Sequence, residues 1–447
     1  GDPAVTVLVA GAGLAGLSAA LSLGRRARVF EREARVGGTC RTEIAGRFTV
    51  DHAGHYLHFR DAEIRRLVHR MLGRNLMSAP RDSWVHLKGL DTPYPFQANT
   101  FGHDAKLIRE CVMGSARARE AARPGKPGET YEDWIRRTWG PGFLRHFMKP
   151  FNEKQFHIRL AQLLPLQGGR FLPKPDPNEI VRGALARRHI SSGYNAMLEH
   201  PRHGGIEVLP LAFARALARS VKTGSPLRRI HWRSRVAEFA GAGPQPYGVL
   251  VSSLPLPELL GRLDPLPPAM ARARSSLRSV GVLCLHYLVR GPHERTKHWI
   301  YVPERRFSFF RVGFPANINH ADAPPGAGII SAEMSYASGR RPGIGAALAR
   351  ARLGLRDLGV LGRGCRIVRE IAVDIPCGYV VFDRAYPQAR GAALRWLAAR
   401  NILSIGRYGS WVYGGMEDAM REGLDTGRLV AAYGERAGAR FRVEDLR

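Results

Sequence analysis

The sequence predicts an α/β protein: a Rossmann-like dinucleotide-binding domain (a GxGxxG βαβ unit) with an inserted helical lobe and a β-rich second domain. Three observations carry this reading. The stretch LVAGAGLAGLSAALSLGRRARVFERE, residues 8–33, sets glycines between an apolar run and a helical run. A second strand–glycine–helix unit closes the chain, NILSIGRYG (Asn401–Gly409) followed by Met416–Glu435. Between them lie a helical, aromatic stretch and then a block of strand-like runs.

In order, Val5–Gly11 reads as a buried parallel strand, Ala15–Gly24 as a helix and Ala27–Glu31 as a second strand. Gly46–Phe59 reads as extended chain passing into a loop, and Asp61–Leu72 has helical spacing. Leu107–Ile158 is helical and aromatic, broken at the Pro/Gly-rich ARPGKPGET, Ala122–Thr130. Gly248–Ser253 and VGVLCLHYLV (Val280–Val289) are strands, and HWIYVP and RFSFFRVGF continue a β-rich block to Phe314. The expected layout is discontinuous. Residues 1–60, 205–255 and 395–435 form the nucleotide-binding domain, 61–204 a mainly helical insertion, and 256–394 the β-rich substrate domain.

Gly11, Gly13 and Gly16 form GxGxxG. The first glycine permits the tight turn, the second lets backbone approach a pyrophosphate, and the third lets helix and strand pack closely. The helix N-terminus offers free N–H groups to the phosphates. Glu31 ends the second strand, where a carboxylate accepts hydrogen bonds from a ribose and disfavours the 2′-phosphate of NADP. Strand, glycines, helix, strand and acid in this order indicate a bound dinucleotide.

The chain has 447 residues, of which 45% are apolar. No run of about 18 apolar residues appears, so no membrane span is expected. A strand pattern begins almost at once, so a secretory signal is expected to be absent or removed. Five scattered cysteines without a CxxC pair disfavour metal ligation and a disulfide framework, and fit a reducing cytoplasm. The formal net charge is +30, and only eight of the 68 basic residues are lysine. Two explanations stand: an anionic partner, or the arginine, glycine and proline enrichment of a GC-rich genome. The arginines are dispersed, which argues against a nucleic-acid tract.

EREARVGGTCRT (Glu31–Thr42) places two glycines, including Gly38, and Arg41 after the acid. This resembles the second flavin signature of the amine-oxidase and protoporphyrinogen-oxidase-like enzymes, and implies FAD as the dinucleotide. Further segments resemble the UDP-galactopyranose mutase family. AGHYLHF puts His55 and His58 on the family's two loop histidines beside the flavin. TPYPFQANTFG, with Tyr94 and Phe96, looks like its Tyr-Pro-rich segment. FMKPFNEKQF is similar to its Pro-Tyr-x-x-Lys-x-Trp run; Lys154 matches, while Phe151 and Phe156 replace the tyrosine and the tryptophan. GRYGSWVYGGMEDAM resembles its C-terminal FAD motif, through Gly406, Arg407, Tyr408, Met416 and Asp418. FFRVGFPANINH and IPCGYVVFD resemble the segments whose arginine and tyrosine meet the substrate diphosphate, here Arg311 and Tyr379.

The resemblance implies a cytoplasmic, FAD-dependent isomerase of carbohydrate biosynthesis that interconverts pyranose and furanose forms of a nucleoside-diphosphate hexose. The flavin works reduced, its N5 attacking the anomeric carbon, and NAD(P)H or another donor supplies electrons. Arg311 and Tyr379 would then meet the diphosphate, and His55 would help hold negative charge on reduced flavin. His58, Tyr94, Phe96, Phe151, Lys154 and Tyr408 would face substrate. Gly11, Gly13, Gly16, Glu31, Gly38, Arg41, Gly406, Arg407, Met416 and Asp418 would hold FAD. For Tyr379 packing in the β block, and for Lys154 plain exposure, are the competing readings. A second function fits the same flavin motifs: an oxidase or dehydrogenase of the protoporphyrinogen-oxidase or amine-oxidase type.

Overall fold

The computed structural model describes residues 6–121, 124–165, 172, 174–187, 196–217 and 220–433. Val5, Ala122, Arg123, Gly434 and Glu435, which the expected elements include, lie outside them. The central strand Val7–Ala10 is flanked by Val249–Ser252 and Ala27–Phe30, with Ile402–Ser404 and Val221–Lys222 at the edges, all parallel. Segments from the start, middle and end of the chain thus share one sheet. Strand side chains alternate between two cores. Val7, Val9, Val29 and Val251 enter one, and Leu8, Ala10, Phe30 and Leu250 the other. Burial of both faces explains why these strands read as unbroken apolar runs.

Helix Leu14–Leu23 follows the glycine loop, and the closing helix Met416–Tyr433 lies against it. Gly423 and Gly427 make that approach possible. A Cβ on either would stand 2.3 Å from the Ala15 carbonyl oxygen or 2.5 Å from that of Ala19. The helix expected at Asp61–Leu72 spans Ala62–Leu72, with the Asp61 carboxylate accepting from the Glu63 and Ile64 amides.

The second sheet has seven strands in the order Arg366–Val380, Ser279–Arg290, Ala327–Ala337, Arg311–Gly313, Trp299–Tyr301, Ser83–Leu87 and Leu90–Pro93. The last two fall in 61–204, the stretch expected to be mainly helical. They are joined by Lys88 and Gly89, both at positive φ (52° and 78°), a two-residue hairpin turn whose twist suits paired strands. The rest of that stretch holds the helices Ala105–Glu120, Tyr131–Phe143, Lys149–Phe156 and Pro177–Leu185.

Candidate flavin and substrate site

The glycine loop is shaped by its neighbours. Gly11 has φ +97°, and a Cβ there would lie 2.4 Å from Ser253 Oγ; a Cβ on Gly16 would lie 2.0 Å from the Gly11 carbonyl oxygen. At Gly13 a Cβ would meet only the Gly38 Cα, at 4.0 Å, so the surface between Gly13 and Gly38 stays open. Glu31 is buried at the end of its strand, one carboxylate oxygen accepting from Ala12 N–H at 2.7 Å and the other from Glu33 N–H at 2.9 Å. The acid is therefore fixed beside the loop by backbone before any ribose arrives.

The second glycine pair is tied to the first loop: Gly37 N–H donates to the Ala12 carbonyl at 2.8 Å. Arg41 donates through Nη2 to the Arg35 carbonyl at 2.6 Å. Beneath this loop Asp51 accepts from Thr42 Oγ1, Ile206 N–H and His200 Nε2, at 2.6, 2.9 and 2.8 Å. Burial would raise the Asp51 pKa, but His200 together with the Thr42 and Ile206 hydrogen bonds holds the carboxyl below its ordinary range. Asp51 thus ties the flavin-side loop to the segment that leads to His55.

His55 stands on that loop, which abuts the large sheet. A Cβ on Gly54 would lie 3.7 Å from Arg311 Nη2. Burial, with the positive charges of Arg407 and Arg311 adding to it, pushes the His55 pKa down to about 4. At neutral pH the imidazole is therefore uncharged in this structure.

Across the sheet, Tyr301, Arg311, Glu333 and Cys284 are successive cross-strand neighbours. Arg311 donates through Nε to Glu333 Oε1 at 3.0 Å and through Nη2 to both oxygens at 2.6 and 2.8 Å. Burial alone would lower the arginine's pKa; Glu333, with Tyr379 and Tyr301 adding to it, holds the guanidinium above its ordinary value. Nη1 lies outside the pair. Arg407 donates through Nη1 to the Gly414 carbonyl and Nη2 to the Gly378 carbonyl, at 2.8 and 2.9 Å. Its guanidinium also lies 5.4, 5.6 and 4.8 Å from the ring centres of Tyr379, Tyr408 and Tyr413. The bond to Gly378 joins the C-terminal glycine turn to the strand that carries Tyr379. Burial raises the Tyr379 pKa, so its hydroxyl stays a donor. Gly406, at φ +78°, donates its N–H to Glu422 Oε2 at 2.8 Å.

The other expected residues divide. Phe151 packs edge-on against Tyr301 and Phe310, with ring centres at 5.6 and 6.2 Å, and Tyr94 lies 5.1 Å from Tyr301. These join the row that carries Arg311. Phe96, expected at substrate, is fully buried among Phe143, Phe147 and His103, with no surface to offer a ligand. Lys154 is neither exposed nor open. Its Nζ donates to the Val302 and Glu304 carbonyls, both at 2.9 Å, and burial pushes its pKa down to about 7. His58 has its Nδ1 3.0 Å from the Met197 carbonyl oxygen. Tyr408 is beside Arg407 at the glycine turn. Met416 packs on the core of the first sheet, and Asp418 caps the closing helix by accepting from Gly415 N–H at 2.7 Å.

Sequence reasoning missed Glu333, Tyr301 and Tyr413. Glu333 lies in an otherwise apolar strand, AGIISAEMSYA, where a lone buried acid calls for a cation opposite. Register with Arg311 supplies it, and register is not visible in one strand.

These residues fit a flavin dinucleotide. Arg41 Nε, His55 Nδ1 and Arg407 Nε are buried and take no hydrogen bond among the described residues, although buried donors are ordinarily paired. The open glycine surface and the fixed acid complete a cradle of the kind a dinucleotide's pyrophosphate and ribose require.

The chain is similar in fold to reduced UDP-galactopyranose mutase, with a TM-score of 0.90 at 21% identity, covering 98% of each chain. Cyclohexylamine oxidase from Brevibacterium oxydans gives a TM-score of 0.68 at 16% identity, covering 97% of this chain and 100% of the other. Putrescine oxidase bound to putrescine gives 0.64 at 17%, covering 96% and 99%. The family model for flavin containing amine oxidoreductases matches residues 14–344, a span that holds Gly16, the fixed acid, the second glycine pair, the His55 loop and Arg311. This chain belongs to the flavin containing amine oxidoreductase family.

Proposed function

We propose that the protein is an FAD-dependent nucleotide-sugar mutase that interconverts the pyranose and furanose forms of a nucleoside-diphosphate hexose. The observation that carries the reading is Arg311, set in a row of aromatic rings and lying against the His55 loop. The similarity to the mutase fold over nearly the whole chain supports it. Bound and reduced, by NAD(P)H or another donor, the flavin would supply the nucleophile for the anomeric carbon.

The chain's own groups then have these tasks. The N–H groups at the helix start, from Gly13 to Gly16, and Arg41 hold the cofactor pyrophosphate, and Glu31 holds its ribose. Arg311, oriented by Glu333, presents Nη1 to the leaving diphosphate, and Tyr379 donates its hydroxyl to the same group. Phe151, Tyr301 and Phe310 exclude water around the sugar. His55 hydrogen-bonds without charge.

The test is incubation of dithionite-reduced and oxidised protein with UDP-galactose and a panel of other nucleoside-diphosphate hexoses, separated by HPLC. A new sugar nucleotide formed by the reduced protein alone is expected. No product from any sugar removes the reading.

One observation favours a second reading, an amine or related oxidase. Glu333 cancels the charge of Arg311, which lowers the site's pull on a diphosphate and suits a neutral or cationic substrate. Hydrogen peroxide formed from an amine without added reductant would favour it.

A further inference from the structure

A cavity lies away from the candidate flavin site, between the end of the helix Ile344–Asp357 and the turn that enters the strand Arg366–Val380. Its volume is about 360 Å³, within the size of small-ligand sites, and Arg356, Arg363, Gly362, Gly364 and Cys365 line it above a floor of Leu361 and Ile367. We propose that this cavity binds the phosphate or diphosphate group of a small molecule.

Four features lead there. Arg356 and Arg363 are exposed and take no ion pair among the described residues; the acid on the neighbouring strand, Glu370, is held by Arg352 at 2.9 Å. Two guanidinium groups lining one cleft favour an anion there, and their planar forks match phosphate oxygens. The turn adds backbone donors. Cys365 N–H closes it on the Gly362 carbonyl at 3.0 Å, and Gly362 N–H is held by the Pro292 carbonyl at 3.1 Å. The intervening N–H groups of Arg363 and Gly364 take no partner among the described residues, and Gly364 has φ +81°. Consecutive amides in such a turn form a concave anion seat.

The surrounding charge has the same sign. Arg290 and Arg366, outside the cavity lining, stand directly opposite each other on adjacent strands at this end of the sheet and add positive charge to it. The floor is apolar, so the ligand's phosphate meets the arginines and turn while an apolar or sugar portion covers Leu361 and Ile367.

The experiment is calorimetric titration of the flavin-loaded protein with inorganic pyrophosphate, with the Arg356→Ser/Arg363→Ser double variant beside it. An Arg311→Met variant separates this cavity from the candidate substrate site, and sedimentation with anionic phospholipid vesicles separates a free phosphate compound from a lipid headgroup. The expected result is pyrophosphate binding that survives Arg311→Met and weakens by about tenfold per arginine removed in the double variant. The double variant keeps its yellow spectrum, since neither arginine touches the flavin domain's core. Absence of pyrophosphate binding, binding unchanged in the double variant, binding lost only with Arg311→Met, or arginine-dependent binding to vesicles alone would each overturn the proposal.

Discussion

Arg311 and Glu333 sit opposite each other on neighbouring antiparallel strands, with three hydrogen bonds between a guanidinium 24% exposed and a carboxylate 8% exposed. A pair this deep is worth little net, because desolvation offsets attraction, yet removing one member strands the other.

Glu333→Ala and Arg311→Ala are each expected to destabilise by about 3 kcal/mol, while Arg311→Met with Glu333→Leu recovers most of that loss. Denaturant midpoints with and without flavin measure it. Single variants as stable as the parent would mean that the pair is solvated and that Arg311 is free to act alone.

The two inner glycines of the cofactor loop are expected to fail differently. Gly16→Ala collides with the Gly11 carbonyl, so the helix must shift and the purified protein should be colourless and less stable. Gly13→Ala meets only the Gly38 Cα, at an ordinary contact distance of 4.0 Å, so it should fold normally and bind flavin weakly, the methyl occupying the open surface beside Gly38. Flavin absorbance read together with melting temperature tells them apart. A yellow Gly16→Ala protein would show that the pyrophosphate lies elsewhere.

Asp322 is buried, and burial pushes its pKa up to about 7 from an ordinary 3.8, with His200 pulling the other way. Between those two values the folded state holds a proton that the unfolded state has lost. This contribution to stability is present at low pH and disappears as pH rises towards 7. Asp322→Asn should flatten the fall in stability between about pH 4 and pH 7. Parallel denaturation curves for parent and variant across that window check it, and an unaltered slope would refute it. His200 overlaps only the upper edge of that window: burial would lower its pKa, Asp51 with Asp322 and the Pro201 carbonyl raises it, and its loss of stability begins above pH 6.5.

His55, at about 4, is neutral through the neutral range. The pH profile of kcat/KM should therefore show no limb from His55 between pH 5 and pH 8, about its ordinary titration range, and His55→Asn should retain more activity than His55→Ala. A limb near pH 6.5, about the unperturbed histidine value, abolished by His55→Asn would show that the bound cofactor restores its charge.

Lys154 should be a positioning residue. Lys154→Met breaks the tie from helix Lys149–Phe156 to the Val302 and Glu304 carbonyls and loosens Phe151 against Tyr301. The expected signature is a raised KM with little change in kcat. A fall in kcat at unchanged KM would assign the amine to the chemistry.

The sequence alone determined the cofactor half. The glycines, Glu31 and the GG-x-x-R-T run act within a few residues of one another, so spacing fixes where their backbone groups point. The unbroken apolar strands follow from a sheet buried on both faces. The hairpin Ser83–Pro93 escaped notice because its strands are short and its Lys-Gly turn lacks the usual Asn or Asp, yet it completes a sheet whose other strands begin some two hundred residues later.

Only the tertiary structure decided the surroundings of Arg311. That Arg311 meets Glu333, that Arg407 reaches the Gly378 carbonyl, and that Asp51 ties Thr42 to His200 depend on cross-strand register and on segments distant in sequence. Burial decided the rest: Phe96 and His55 carry the residue types that a site would use, but the packing around them makes one a core ring and the other an uncharged imidazole. Proton affinity and accessibility are set by what surrounds a side chain after folding, and neither is a property of its neighbours in the chain.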